Sequence, residues 1–139
     1  MAALSSLLET AIYNIAVANS NLWNSVNGRM KSGRAIAGWV TPYVLYSYPN
    51  LPGTNTYKTS SPRAFSISIY FDIFSSEELF STEAGTIAGY IRTAFDGKSL
   101  TLTGFNGTTI KVVNERPLEQ EETGLWHMQL EYSGMACAS

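Results

Sequence analysis

At 139 residues the chain is long enough to bury a core without disulfides or metals, and its length predicts one domain over residues 1–139. Only 14% of its residues are charged, against about a quarter in ordinary globular proteins, and a net charge of −2 excludes the broad basic footprint of a general nucleic-acid binder. Cys137 is the single cysteine, which rules out an intrachain disulfide, and its place in the closing MACAS predicts a disordered free thiol.

Leu4, Leu7, Leu8, Ala11, Ile12, Ile15, Ala18 and Leu22 recur at spacings of three and four, the signature of one helix face running to about Trp23, with Gly28 as its stop. The stretch has no basic start, and Glu9 and Asn14 interrupt its apolar run, so it does not read as a secretion signal. No segment is long and apolar enough to cross a bilayer, and the expectation is a soluble intracellular protein without membrane contact. Residues 29–41 lack a sustained period and read as a loop with a short strand near Met30. Pro42 to Tyr48, rich in aromatic and branched residues and followed by Pro49, predicts a strand. Residues 49–63 then form a polar Pro-, Gly-, Ser- and Thr-rich connector, expected to be a flexible loop and the best loop for contacting a partner.

In residues 64–74, Phe65, Ile67, Ile69, Phe71 and Ile73 alternate with Ser66, Ser68, Tyr70 and Asp72. Successive side chains of a strand point to opposite faces, so this period of two commits one face to a core. A helical period follows directly, with Ser75 or Ser76 as cap, Glu77 and Glu78 in the first turn, and Ala84, Ile87, Ala88, Ile91, Ala94 and Phe95 as the buried stripe. Gly85 and Gly89 each cost about 1 kcal/mol against alanine, and their spacing suggests close approach by a neighbouring element. Gly97 ends the helix. Asn106-Gly107 signals a hairpin between residues 99–105 and 108–113, residues 114–124 read as an acidic break around Pro117, and residues 125–133 alternate as a last strand. Residues 134–139 are expected to be a tail. This order predicts an α+β fold, with two helices on one face of a small, mainly antiparallel mixed sheet that includes a β-hairpin.

The chain offers little chemistry. His127 is the only histidine, lies on the polar side of its strand with Gln129 and Glu131, and has no ligand-spaced cluster near it in sequence. Arg29, Lys31 and Arg34 form a local basic group able to touch phosphates, although solvation or pairing with carboxylates explains such groups equally. Glu119, Glu121 and Glu122 form an acidic run that reads as a solvated turn, or as a patch that repels DNA or meets a basic partner. Asp72 and Glu131 can share a sheet face, but no cleft for paired-carboxylate hydrolysis is suggested, and no phosphate loop or nucleophile elbow is present. The reading is therefore a non-enzyme with no catalytic residues, cofactor or metal. A small open sheet does leave strand edges that can join another chain.

Gly28-Arg29-Met30, TPYVLY at 41–46, the strand ISIYFDIFS, the helix EAGTIAGYIRTAFDG and a closing LEYSG together resemble the tail completion proteins of long-tailed bacteriophages, the tail terminator and tail-to-head joining group. The resemblance spans residues 4–134 and implies a structural virion protein. Helices pack on a mixed sheet in that group, and six copies form a ring on the head-proximal end of the tail tube. Tube polymerisation stops there and the filled head docks. The implied partners are further copies of the chain, the tube protein and a head-completion or connector protein, with DNA passing through without sequence-specific binding. Assembly in the host cytoplasm is implied. On this pattern Tyr57, Lys58 and Arg63 of the connector become subunit or tube contacts, and Arg29, Lys31, Arg34, Glu119, Glu121 and Glu122 become lumen or inter-subunit charges. The rival readings are another connector or tube component, a ligand-binding module with a pocket on the apolar sheet face, and a nucleic-acid accessory protein.

Overall fold

The computed structural model describes residues 4–48, 53–55, 62–76, 82–106 and 109–138. Two helices, not one, open the chain: α1 (Leu4–Ala18) and α2 (Ser20–Ser25). Asn19 makes the break. Its backbone N–H donates to Ile15 O and Ala16 O and closes α1, while its side-chain oxygen accepts the Leu22 N–H at 2.9 Å and caps α2. Leu4, Leu8, Ala11, Ile12, Ala16 and Leu22 are buried, whereas Ala18, expected on that face, is exposed. Asn27 and Gly28 then turn the chain with left-handed backbone angles, as the glycine stop predicts.

Among the described residues seven strands follow: β1 (Met30–Ser32), β2 (Tyr43–Ser47), β3 (Gly53–Asn55), β4 (Pro62–Ser75), β5 (Phe105–Asn106), β6 (Lys111–Glu122) and β7 (Leu125–Ala138), with α3 (Thr82–Phe95) between β4 and β5. The sheet runs β1-β2-β4-β7, with β6 and β5 sharing the outer edge of β7 and β3 lying beside the start of β4. Only β1–β2 is parallel; the other pairings are antiparallel. The fold is α+β with a mixed, mostly antiparallel sheet.

Alternation decides which face the helices cover. Ile67, Ile69, Phe71 and Ile73 of β4, Val44 and Tyr46 of β2, and Met128, Leu130 and Tyr132 of β7 all point to one side and are buried. The stripe expected on α3 is buried against them. Phe71 stands at the centre, with ring centroids 6.3 Å from Tyr46, 4.7 Å from Phe95 and 5.6 Å from Tyr132. It joins two neighbouring strands to the helix layer.

Several expectations are corrected. The acidic segment is not a break: β6 runs through it as a strand on the outer side of β7, and the hairpin turn is Thr123-Gly124. Pro117 is tolerated because the register shifts between Arg116 and Glu119, so no ladder N–H is needed there. The turn expected at Asn106-Gly107 lies partly outside the described residues, which stop at Asn106 and resume at Thr109: Ser99 bridges Thr109, while Phe105 and Asn106 pair with the end of β7. That pairing also makes a strand of the expected tail, and Cys137 is a free, exposed thiol within it. Helix α3 is described from Thr82, and residues 77–81 between it and the expected caps Ser75 and Ser76 lie outside the described ones; Ser75 is buried and its hydroxyl donates to Glu83 in the first turn at 2.6 Å. Glu77 and Glu78 lie outside the described residues. Gly85 and Gly89 are exposed, and among the described residues no atom lies near the position of an added Cβ, so no close approach there explains them. The connector holds β3 at residues 53–55.

Candidate functional site

The face of the sheet away from the helices is built by the other half of each alternation. Row by row, Tyr43, Phe74 and His127 are consecutive partners, as are Leu45, Asp72 and Gln129, and Ser47, Tyr70 and Glu131. The first row is a stack of rings. Phe74 lies 4.6 Å from His127 at 6° and 5.0 Å from Tyr43 at 22°, and Trp39 leans on Tyr43 at 6.0 Å.

His127 is the most constrained polar group on this face. Its Nε2 bonds Asp72 Oδ1 at 2.6 Å, and its Nδ1 bonds Glu121 Oε1 at 2.5 Å. Gln129 donates to the same Asp72 oxygen at 2.8 Å. With side-chain exposures of 13% for His127 and 19% for Asp72, the pair is largely shielded from water. The Asp72 hydrogen bond holds the imidazolium above the ordinary histidine value of 6.5; burial opposes this and Glu121 adds to it. His127 therefore ties β4 to the far end of β6. The ligand-type atoms of Glu119, Glu121 and His127 fall within 4.8 Å of one another, a grouping that sequence spacing did not reveal. Burial, and then the negative charge of Glu122, push the Tyr43 hydroxyl up.

The charged groups singled out by sequence lie at the two ends of this face. Arg29 donates from Nε to Pro42 O at 3.2 Å, and Lys31 donates from Nζ to Arg34 O at 2.9 Å. Among the described residues none of Arg29, Lys31 and Arg34 pairs with a carboxylate. Glu119 meets Arg116 at 3.5 Å, and Glu115 meets Arg92 at 2.7 Å. Of the expected loop contacts, Tyr57 and Lys58 lie outside the described residues, and Arg63 belongs to β4 with its side chain undescribed. Asp72 and Glu131 share the open face, as expected, but serve neighbours: Asp72 holds His127 and Gln129, and Glu131 accepts from Tyr70 at 3.4 Å.

The link made by Glu9 escaped the sequence reading. Glu9 of α1 accepts from Tyr46 at 3.0 Å and from Tyr48 at 2.6 Å, linking helix to sheet. Burial, and the hydrogen bonds to this carboxylate, raise both phenols. Tyr132 is fully buried, and burial pushes its hydroxyl up to about 12. Among the described residues the helices cover the apolar face of the sheet. A cleft of about 280 Å³ lies instead between α1 and α3, lined by Asn14, Ile15, Asn19, Thr93 and Lys98 among others. Among the described residues no nucleophile, base and oxyanion donors converge.

A chain from the solved "Virion of native gene transfer agent (GTA) particle" has this fold, with a TM-score of 0.80 at 14% identity, covering 99% of this chain and 100% of that one. Comparison with curated proteins finds no match. The family model described as "Tail completion protein gp17" matches residues 10–135. With nearly its whole length matched, the chain belongs to the tail completion protein gp17 family, structural components of bacteriophage tails.

Proposed function

We propose that this protein closes the head-proximal end of the tail tube as a ring of identical subunits, six on the family pattern, ending tube growth and presenting the surface on which the head docks. The observation that carries the reading is the pair of unlike sheet edges. β1 bonds only β2, and the outer side of β6 has no partner among the described residues, so the molecule has two different joining sides. A contact between unlike sides, repeated about an axis, closes into a ring when the rotation is a whole fraction of a turn. One ring face docks on the last tube subunits, and the other differs from them, so no tube subunit can add.

In this reading the chain has no catalytic residue, and its partners are its own copies, the tube protein and a head-completion or connector protein. DNA passes through without sequence-specific contact, and assembly takes place in the host cytoplasm. Tyr57, Lys58 and Arg63 contact a neighbour or the tube, and ordering of the remainder of residues 53–62 on docking adds specificity at an entropic cost. The solved virion chain of the same fold supports a place in the particle. Electron microscopy of particles assembled without this gene product tests the role. Full heads beside detached tails of irregular, excessive length are expected. Normal particles would overturn the reading.

A further inference from the structure

The charges of this chain are segregated. No Asp or Glu occurs between positions 10 and 71, a span with five of the nine Lys and Arg residues; ten of the eleven carboxylates lie from Asp72 onward. The topology turns this asymmetry in sequence into one in space. The first half supplies β1 and β2 at one side of the sheet, and the second half supplies β6 and β7 at the other. Four strand spacings, about 19 Å, separate β1 from β6. Arg29, Lys31 and Arg34 thus border one edge, and Glu115, Glu119, Glu121 and Glu122 the opposite one.

The two groups also share a level along the strands. Met30 pairs Val44, so Arg29 stands beside Tyr43, and the row from Tyr43 through Phe74 and His127 ends at Glu119. The row of Lys31 ends instead at Arg116, whose charge Glu119 meets, so the match is between edge regions rather than residue by residue. Strand addition is not how these edges join. β6 has three register shifts, Pro117 and an almost fully exposed charged outer side, all features that block edge pairing, and β1 is only three residues long.

We propose that the occupant of each edge is a second copy of this chain, the basic β1 edge of one subunit seating against the acidic β6 edge of the next through side-chain charges. This deepens the ring reading and rests on it. The bonds of His127 to Asp72 and Glu121 hold the acidic strand in shape for the contact. Unlike charges on opposite sides favour head-to-tail contacts and disfavour face-to-face dimers, in which like edges would meet.

The test uses two variants of the full chain, Lys31→Glu/Arg34→Glu and Glu119→Lys/Glu122→Lys, followed by native mass spectrometry and sedimentation with and without tail tubes. Each variant alone presents edges of the same net sign at every contact, and its self-association is expected to weaken roughly a hundredfold or more. Mixed one to one, the reversed edges match each other and the unreversed edges match each other, so the assembly re-forms with alternating subunits. Wild type that assembles while both variants assemble equally well overturns the charged-edge contact and leaves the ring standing. Variants that fail alone and also fail as a mixture overturn it too. Wild type that stays monomeric even on tubes overturns the ring reading itself.

Discussion

At the scale of single residues, His127 carries two hydrogen bonds that a neutral imidazole, with one N–H, cannot donate together. Facing it are Asp72 from β4 and Glu119 and Glu121 from β6, with Arg116 pairing Glu119, and beyond Phe74 in the same row Tyr43 of β2, whose hydroxyl is raised. Its proton affinity in the folded chain is raised, so the contribution of the clasp is complete below the ordinary value of 6.5 and is lost as pH rises through the higher folded-state value. With one histidine in the chain, a proton NMR titration of the imidazole reads this group alone, and its midpoint is expected above 6.5. The thermal midpoint of wild type should fall across that same rise, while that of His127→Gln stays level. Parallel curves would show that the clasp adds nothing to the fold.

At the scale of elements, two kinds of glycine behave in opposite ways. On α3, Gly85 and Gly89 are exposed, so Gly85→Ala should raise stability by about 1 kcal/mol through helix propensity alone. Gly134 of β7 lies under the segment before β6, where an added Cβ would come within 2.9 Å of both Ile110 Cγ2 and the Thr109 carbonyl oxygen. Gly134→Ala should therefore cost about 1–3 kcal/mol, because backbone must move to admit the methyl group; urea melts of the two variants decide both signs. The elements that sequence revealed are those whose own side chains carry the period. β4 shows its burial in Ile67, Ile69, Phe71 and Ile73, and α3 shows its own in the stripe from Ala84 to Phe95. β6 beyond Val113 is illegible for the opposite reason: its polar residues have no apolar alternation, and its strand form comes from the backbone of β7. Asn19 hid the break between α1 and α2 because the apolar period continues across it to Leu22. The site was half legible. The alternation put His127 on the polar face, but its partner Asp72 stands 55 positions away and arrives only through the β4–β7 register.

At the scale of the whole molecule, the helices cover one sheet face, and among the described residues the other face and two unlike edges stay uncovered. A net charge of −2 conceals a positive and a negative side, and that polarity favours growth around a ring over a symmetric pair. Screening by salt should weaken such contacts far more than it weakens the core, because Arg34 and the four acidic residues at these edges are exposed and Arg29 and Lys31 are partly so. Everything proposed for the assembled state turns on where the chain sits in the particle. Cryo-electron microscopy of purified tails answers this directly: the account predicts density for this fold as one closed ring at the head-proximal end and nowhere else. Density repeated along the tube would make it a tube subunit, and absence from that end would contradict the account outright.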